Sequence, residues 1–485
     1  MLAKLFDKYR NMSKVAKAAM WFAFATIMQK GISFFTVPVF TRIMTTEQYG
    51  LFNVYLSWTT VLNIIVTMEL HSCAYLNGLA KMDTDEEKNE LATSLLNLSF
   101  ILTLGWFTIY LIFREWLNNV LGISTVMVVF MFLEIFFLPA VYFWTIKQRY
   151  TYNYKILVIR TLGQAILNAA LGIVFVLLVT EEMQANARVA AIVVVQMIFG
   201  ISMYIWFTRR SKKIFSVKYW KRGLKLHLPL IPHRLSLSVL SSADRIMIQN
   251  MVSSTATALY SVAYSATMVI NIIKLSINDA LTPWVYECLK KKDYKSIYKN
   301  TVFVMLIVMA MAFLFVLFAP EIIFVVGSEK YYEAIYVIPP VAASVFFTFL
   351  YNLFSSVEFY YEKTKEIMVA SLTAAVSNIV LNFIFINLFG YVAAGYTTLA
   401  CYIILSVFHY LIMKKAVKNE VSVKQLFNLK AIVALSAVVI VSMAGCTLLY
   451  FNNIVRYIVI GVFLVVLLIM HKKIINLIKM LKKKK

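Results

Sequence analysis

Apolar runs of membrane-spanning length recur along the whole chain, separated by short polar segments. Fourteen can be drawn, near residues 15–41, 49–69, 91–113, 123–146, 156–179, 189–208, 227–251, 256–283, 299–319, 332–356, 367–387, 391–413, 429–450 and 452–470. A helix needs about twenty mostly apolar residues to cross a bilayer, and each run comes close to that. The pattern predicts an all-α polytopic membrane protein with about 14 transmembrane helices. The opening segment MLAKLFDKYRNMSKVAK is basic and polar, and the apolar run after it is too long for a signal peptide and lacks a small-residue cleavage site.

Charge distribution supports the same assignment. Of 47 Lys and Arg, 37 fall on the side of the N-terminal segment, the even-numbered loops and the C-terminal tail. The opposite side keeps Arg42, Arg114, Arg188, Lys330 and Arg456. By the positive-inside rule both termini should lie in the cytoplasm, which an even number of spans requires. The formal charge of +24 is then a topology signal and a contact for anionic lipid headgroups, and nucleic acid is not an expected partner. The composition, 61% hydrophobic and 14% charged, fits a bilayer protein and departs from the roughly one-quarter charged residues of soluble chains.

The longest basic loop, RRSKKIFSVKYWKRGLK (209–225), divides the chain into comparable halves. FNVYLSWTTVLNII (52–65) set on YSVAYSATMVINII (260–273) agrees at seven of fourteen positions. TRIM (41–44) answers DRIM (244–247), and Leu167–Asn168 answers Leu381–Asn382, in the same order along the chain. These matches predict two duplicated six-helix lobes, 1–208 and 227–413, joined by a basic cytoplasmic linker at 209–226. Residues 414–485 would add two transmembrane helices and a basic tail.

Several functions are disfavoured. Cys73, Cys288, Cys401 and Cys446 have no metal or redox spacing, the five histidines are scattered, and no GxxxxGK loop is present. No metal site or cofactor is expected. The loops are too short to house a catalytic domain, which argues against an enzyme, including a glycan polymerase or ligase.

What requires explanation is charge inside the spans: Lys30, Arg160, Arg234, Arg245 and Lys274, with Glu134, Asp244 and Asp279. Eight such groups cost about 20–28 kcal/mol at helix centres before pairing and snorkelling. A wet internal cavity would relieve that cost. Arg160, Gln164 and Asn168 recur at i, i+4, i+8, and Asn271, Lys274 and Asn278 at i, i+3, i+7, so each set makes one polar face. Lys30 and Lys274 lie mid-span, while Arg160 could instead snorkel to the cytoplasmic surface. Arg234 follows LPLIPH, where Pro229 and Pro232 interrupt the helix. Lys30, Arg160, Arg234 and Lys274 are therefore candidate substrate-binding cations, with Gln164, Asn168, Asn271 and Asn278 as polar cavity face. Asp244 and Arg245 suit either lobe-to-lobe pairing or an interfacial anchor. Glu134 is a candidate proton carrier, or a fixed partner of Lys30 or Arg160, and Asp279 is a second candidate for ion coupling.

Four segments carry a family resemblance: TVPVFTRIMTTEQYGLF (36–52), ADRIMIQNMVSSTATALYSVAYS (243–265), GSEKYYEAIYVIPP (327–340) and GYVAAGYTTLACYI (390–403). Over about residues 13–415 the chain resembles the polysaccharide transporter family, the O-antigen and capsule-unit flippases of the multidrug/oligosaccharidyl-lipid/polysaccharide exporter superfamily. The resemblance implies a two-lobed fold in the bacterial cytoplasmic membrane, alternating access and a polyprenyl-pyrophosphate-linked oligosaccharide as substrate. It also implies a proton or sodium ion as coupling ion and a polysaccharide polymerase as partner. Arg42 and the Asp244–Arg245 pair match positions typical of the family and would serve as gate or lobe pairing. GYVAAG departs from the family's more usual glycine motif. Two relatives of the reading stay open: a flippase for the peptidoglycan lipid precursor, and a cation-coupled multidrug antiporter. The antiporter is disfavoured because its cavity should favour acids, whereas here five cations oppose three.

Overall fold

The computed structural model describes residues 10, 12–418 and 420–482, and its regular structure is helical, with no strand among the described residues. Among the described residues, fourteen long helices follow in order. They are α1 (Lys14–Ile43), α2 (Thr46–Thr67), α3 (Asp85–Ile112), α4 (Thr125–Tyr150), α5 (Tyr154–Leu177), α6 (Gln184–Thr208) and α7 (Ile231–Met251). Next come α8 (Ser254–Lys290), α9 (Tyr294–Leu317), α10 (Ile338–Tyr360), α11 (Thr364–Phe389), α12 (Ala393–Ala416), α13 (Leu429–Leu449) and α14 (Asn453–Lys482). Twelve of them are long and apolar enough, among the described residues, to cross a membrane. The protein is an all-α, multi-pass membrane protein. The other two are α14, whose described apolar stretch Asn453–Val466 is shorter, and α7. α7 is too polar: Ser236, Ser238, Ser241, Ser242, Asp244 and Arg245 lie on a 21-residue helix.

Local chemistry sets the helix ends. Thr84 caps α3 by accepting from the Glu87 amide at 3.2 Å, and Asp85, Glu86 and Glu87 place negative charge against the positive end of the helix. Ser13, Thr45, Ser124 and Asp293 cap α1, α2, α4 and α9 in the same way. Pro232 falls in the first turn of α7, where its missing N–H has no cost, and Pro229 falls in the preceding 3₁₀ turn, Leu228–Leu230. The two prolines therefore mark a junction between two helices.

The chain forms two compact units, Met1–Ala258 and Leu259–Lys485. In the first, α1 packs on α5, α4 on α6, α5 on α6, and α7 along α2. α7 thus keeps company with α1–α6 by packing, although its sequence repeat pairs it with α1. The segment 209–226, expected as a linker, carries the short amphipathic helix Val217–His227 and is tied down. Trp220 Nε1 donates to the Ser94 carbonyl at 2.8 Å and Asn97 Nδ2 to the Ile214 carbonyl at 2.7 Å. Tyr219, Trp220 and Leu224 cover a core of Leu70, Tyr75, Leu91, Leu95 and Phe143. Burying such side chains stabilises by about 1.5–3 kcal/mol each, so this helix is part of the fold.

In the second unit α10 is buried along most of its length, against α12, α9 and the second stretch of α8. α8 is broken at Thr267 into Ser254–Ala266 and Met268–Lys290. Near the end of α10, Glu358 accepts from or donates to His409 Nδ1 on α12 at 2.8 Å, and both side chains are buried.

Candidate functional site

Polar groups inside the first unit make contacts between helices at several levels. On the basic-loop side, α2 ends on two successive left-handed residues, Met68 (φ 51°) and Glu69 (φ 46°). Non-glycine residues reach that region at a cost, and here the turn brings the Glu69 carboxylate to Arg234 in an ion pair. Beside it His71 stacks on Tyr142 with ring centroids 4.4 Å apart, and His227 Nε2 accepts from the Ala74 amide at 2.9 Å.

Farther along, the stripe on α5 meets α4 and α6. Arg160 Nη1 donates to Thr145 Oγ1 at 3.3 Å and lies over the rings of Trp144 and Phe199. Gln164 Nε2 donates to Gln196 Oε1 at 3.1 Å, and Asn168 Oδ1 accepts from Arg188 Nη2 at 2.7 Å. The Arg188 guanidinium also lies 4.4 Å from the Phe40 ring centroid and 5.2 Å from that of Phe52. Cation–π contacts of this kind are worth about 2 kcal/mol when desolvated. Neither Arg160 nor Arg188 makes an ion pair among the described residues, and the Nε of each is buried without a hydrogen-bond partner there. Opposite them, Tyr55 on α2 donates to Glu134 on α4 at 2.6 Å. Glu134 pairs with neither Lys30 nor Arg160.

The remaining expected residues are dispersed. Lys30 is half-buried on α1, and Arg42 is exposed, its Nη1 donating to the Pro38 carbonyl at 2.8 Å. On α7, Asp244 is buried and Arg245 is half-buried, donating Nη1 to the Ser241 carbonyl at 3.2 Å. On α8, Lys274 is buried, Asn271 and Asn278 are half-buried, and Asp279 is exposed, so the expected face is graded in depth.

Arg188 was the residue the sequence concealed. Its place four residues into α6, after the polar run EEMQAN, reads as an external loop, yet it is 7% exposed and held between helices. The available signal was Gln196, eight residues on and so on the same face. Arg456, likewise counted as external, is buried and ion-paired with Glu321. Glu358 and His409 lie 51 positions apart, and no spacing rule pairs them.

The arrangement is that of a multi-pass transporter fold. Similarity in fold runs to the lipid II flippase MurJ in an inward closed conformation (TM-score 0.66, 15% identity, 94% of this chain and 100% of that one). It extends to an inward-facing multidrug resistance MATE family transporter of the MOP superfamily (TM-score 0.57, 14% identity, 80% and 99%). A MOP superfamily transporter from Pyrococcus furiosus, described as having a binding pocket of reverse polarity, is also similar (TM-score 0.51, 14% identity, 83% and 96%). The polysaccharide biosynthesis protein family model matches residues 15–289, more than half of the chain, and the MatE model matches residues 229–384. The chain belongs to the polysaccharide biosynthesis protein family. A Haemophilus influenzae protein of the Lsg locus is 25% identical over 220 residues, 42% of this chain and 54% of that protein. The match thus spans about half the length of that curated relative.

Proposed function

We propose that the protein is a flippase that moves a polyprenyl-pyrophosphate-linked oligosaccharide from the inner to the outer leaflet of the bacterial cytoplasmic membrane by alternating access. The observation that carries this reading is that two arginines on helices long and apolar enough to cross a membrane, Arg160 and Arg188, are held by uncharged partners in a chain of the polysaccharide biosynthesis family. A pyrophosphate cannot cross hydrocarbon unaided, and guanidinium groups already desolvated against aromatic rings are suited to bind it. Lys30 and Arg234 add cationic contacts within the first unit, Lys274, Asn271 and Asn278 are the substrate contacts of the second unit, and Asp244, Arg245 and Arg42 regulate access. The lobes are 1–208 and 227–413, both termini are cytoplasmic, and Glu134, with Asp279 as a lesser candidate, couples transport to an ion gradient.

Depleting the protein should cause lipid-linked oligosaccharide to accumulate on the inner leaflet. Arg188→Gln that folds and inserts should not relieve the block, whereas wild type should. Relief by Arg188→Gln would remove the pyrophosphate role. The likeness to the lipid II flippase fold favours a second reading, a peptidoglycan lipid-precursor flippase. That reading requires depletion to stop wall synthesis rather than surface polysaccharide. Export of cationic dyes without any lipid-linked intermediate would support an antiporter instead.

A further inference from the structure

On the face opposite the basic loops, the starts of α2, α4 and α6 surround a cleft of about 620 Å³ within the first unit. That is within the range of small-ligand sites, roughly 300–1,000 Å³. Its polar lining includes Gln48, Asn118, Asn119, Asn186, Glu182 and the Ser124–Thr125 hydroxyls. Leu51, Ile123 and Met127 add apolar patches, and no Lys or Arg contributes.

Side-chain amides both donate and accept, which matches vicinal hydroxyls, and aliphatic patches match the C–H faces of a sugar ring. Charge narrows the class further. Glu182, with no cation beside it, disfavours an anion, and three helix starts, which carry partial positive charge, disfavour a cation. A neutral polyhydroxylated ligand satisfies both.

The walls are fixed in advance. Asn118 accepts from Tyr110 OH at 3.0 Å and donates to Thr125 Oγ1 at 2.7 Å, and Gln48 Oε1 accepts from the Ala185 amide at 3.1 Å. The rim turns at Gly122 (φ +63°), and Trp58 Nε1 and Asn250 Nδ2 hold the adjoining carbonyls of Leu121 and Val120 at 2.9 and 3.1 Å. Asn186 Oδ1, by contrast, is enclosed without a hydrogen-bond partner among the described residues. Asn119 is exposed on the rim, and walls held in place before binding lower the cost of taking up a ligand.

We propose that this cleft is a saccharide subsite that receives the neutral sugars of the substrate on the exit side of the membrane. The inference rests on the flippase reading for the identity of its ligand. The probe is the oligosaccharide freed by mild acid from the lipid-linked pool of the cells that make the protein. It is titrated calorimetrically into the purified full-length chain, with inorganic pyrophosphate as competitor. Wild type should bind the oligosaccharide with an affinity insensitive to salt and to pyrophosphate. The double variant Asn119→Leu, Asn186→Leu should bind it about tenfold or more weakly, as expected for loss of two hydrogen bonds. Should that variant not purify as a monodisperse species, the exposed Asn119→Ala should give a smaller loss in the same direction. Unchanged binding by a folded variant, or binding abolished by pyrophosphate, overturns the subsite. So does absence of binding in a protein whose depletion does cause lipid-linked sugar to accumulate, an outcome that leaves the flippase reading intact. Binding without such accumulation supports the subsite and removes the flippase reading.

Discussion

Glu134 shows how much one residue's role depends on its neighbour. Its sequence position identifies an acid within a span, but only the structure supplies the partner, the Tyr55 hydroxyl at 2.6 Å. A glutamine at 134 can still accept that hydrogen bond, so Glu134→Gln should fold like wild type and lose only the capacity to carry a proton. If Glu134 couples transport to a proton gradient, the variant should flip substrate at a rate that no longer depends on the gradient. Wild-type gradient dependence in Glu134→Gln would eliminate that role. Tyr55→Phe tests the structural half. It leaves a half-buried carboxyl group without its donor and should lower stability by about 1 kcal/mol, read from thermal unfolding in detergent. Arg160, Gln164 and Asn168 were legible as a stripe because helical periodicity is local. Their counterparts Gln196 and Arg188 were not, because which stripes face each other is settled by tertiary packing.

At the scale of elements, two contacts explain what the hydrophobic pattern could not. The first is Gly50. A Cβ there would lie 1.8 Å from the Ser254 carbonyl oxygen, so the start of α2 and the start of α8 meet backbone to backbone. Gly50→Ala must push two main chains apart and should cost about 3 kcal/mol, seen as lower yield and a lower unfolding temperature. The second is the docked helix Val217–His227, whose length and basic residues suggested only a linker. Burial, then the nearby Arg234 charge, push His227 down to about 4, and burial, Arg234 and His227 push His71 down to about 3. The His227 Nε2 acceptor role requires the neutral ring. Both folded values lie below the ordinary 6.5, so the undocked state takes up protons first as pH falls. Docking is therefore fully supported above about pH 6.5 and weakens as the pH falls toward 4. A protease active at both pH 7.5 and pH 5 should cut within 209–227 faster at pH 5. His227→Gln, which can still accept from Ala74 but does not titrate, should reduce that difference. An unchanged acid response in His227→Gln would place the sensitivity elsewhere.

For the whole molecule, the order of spans was readable because burial in lipid imposes long apolar runs, and the exception is instructive. α7 fails on hydropathy, and Ser236, Ser238, Ser242 and Asp244 are buried on this helix, which packs along α2. A span shielded by its neighbours need not be apolar. Whether α7 crosses the membrane fixes the topology of everything after it, so reporter fusions decide the matter. Fusions at residues 85, 217, 293 and 480 should report the cytoplasm, and those at 185, 253 and 388 the exterior. The informative pair is 217 and 253, which bracket α7. Opposite readings make it a true span and place the basic loops and both termini on one side, as 37 of 47 cationic residues require. Identical readings would make α7 a re-entrant or surface helix and leave an odd number of spans. The termini would then lie on opposite sides, and the proposed lobes 1–208 and 227–413 could no longer be parallel repeats.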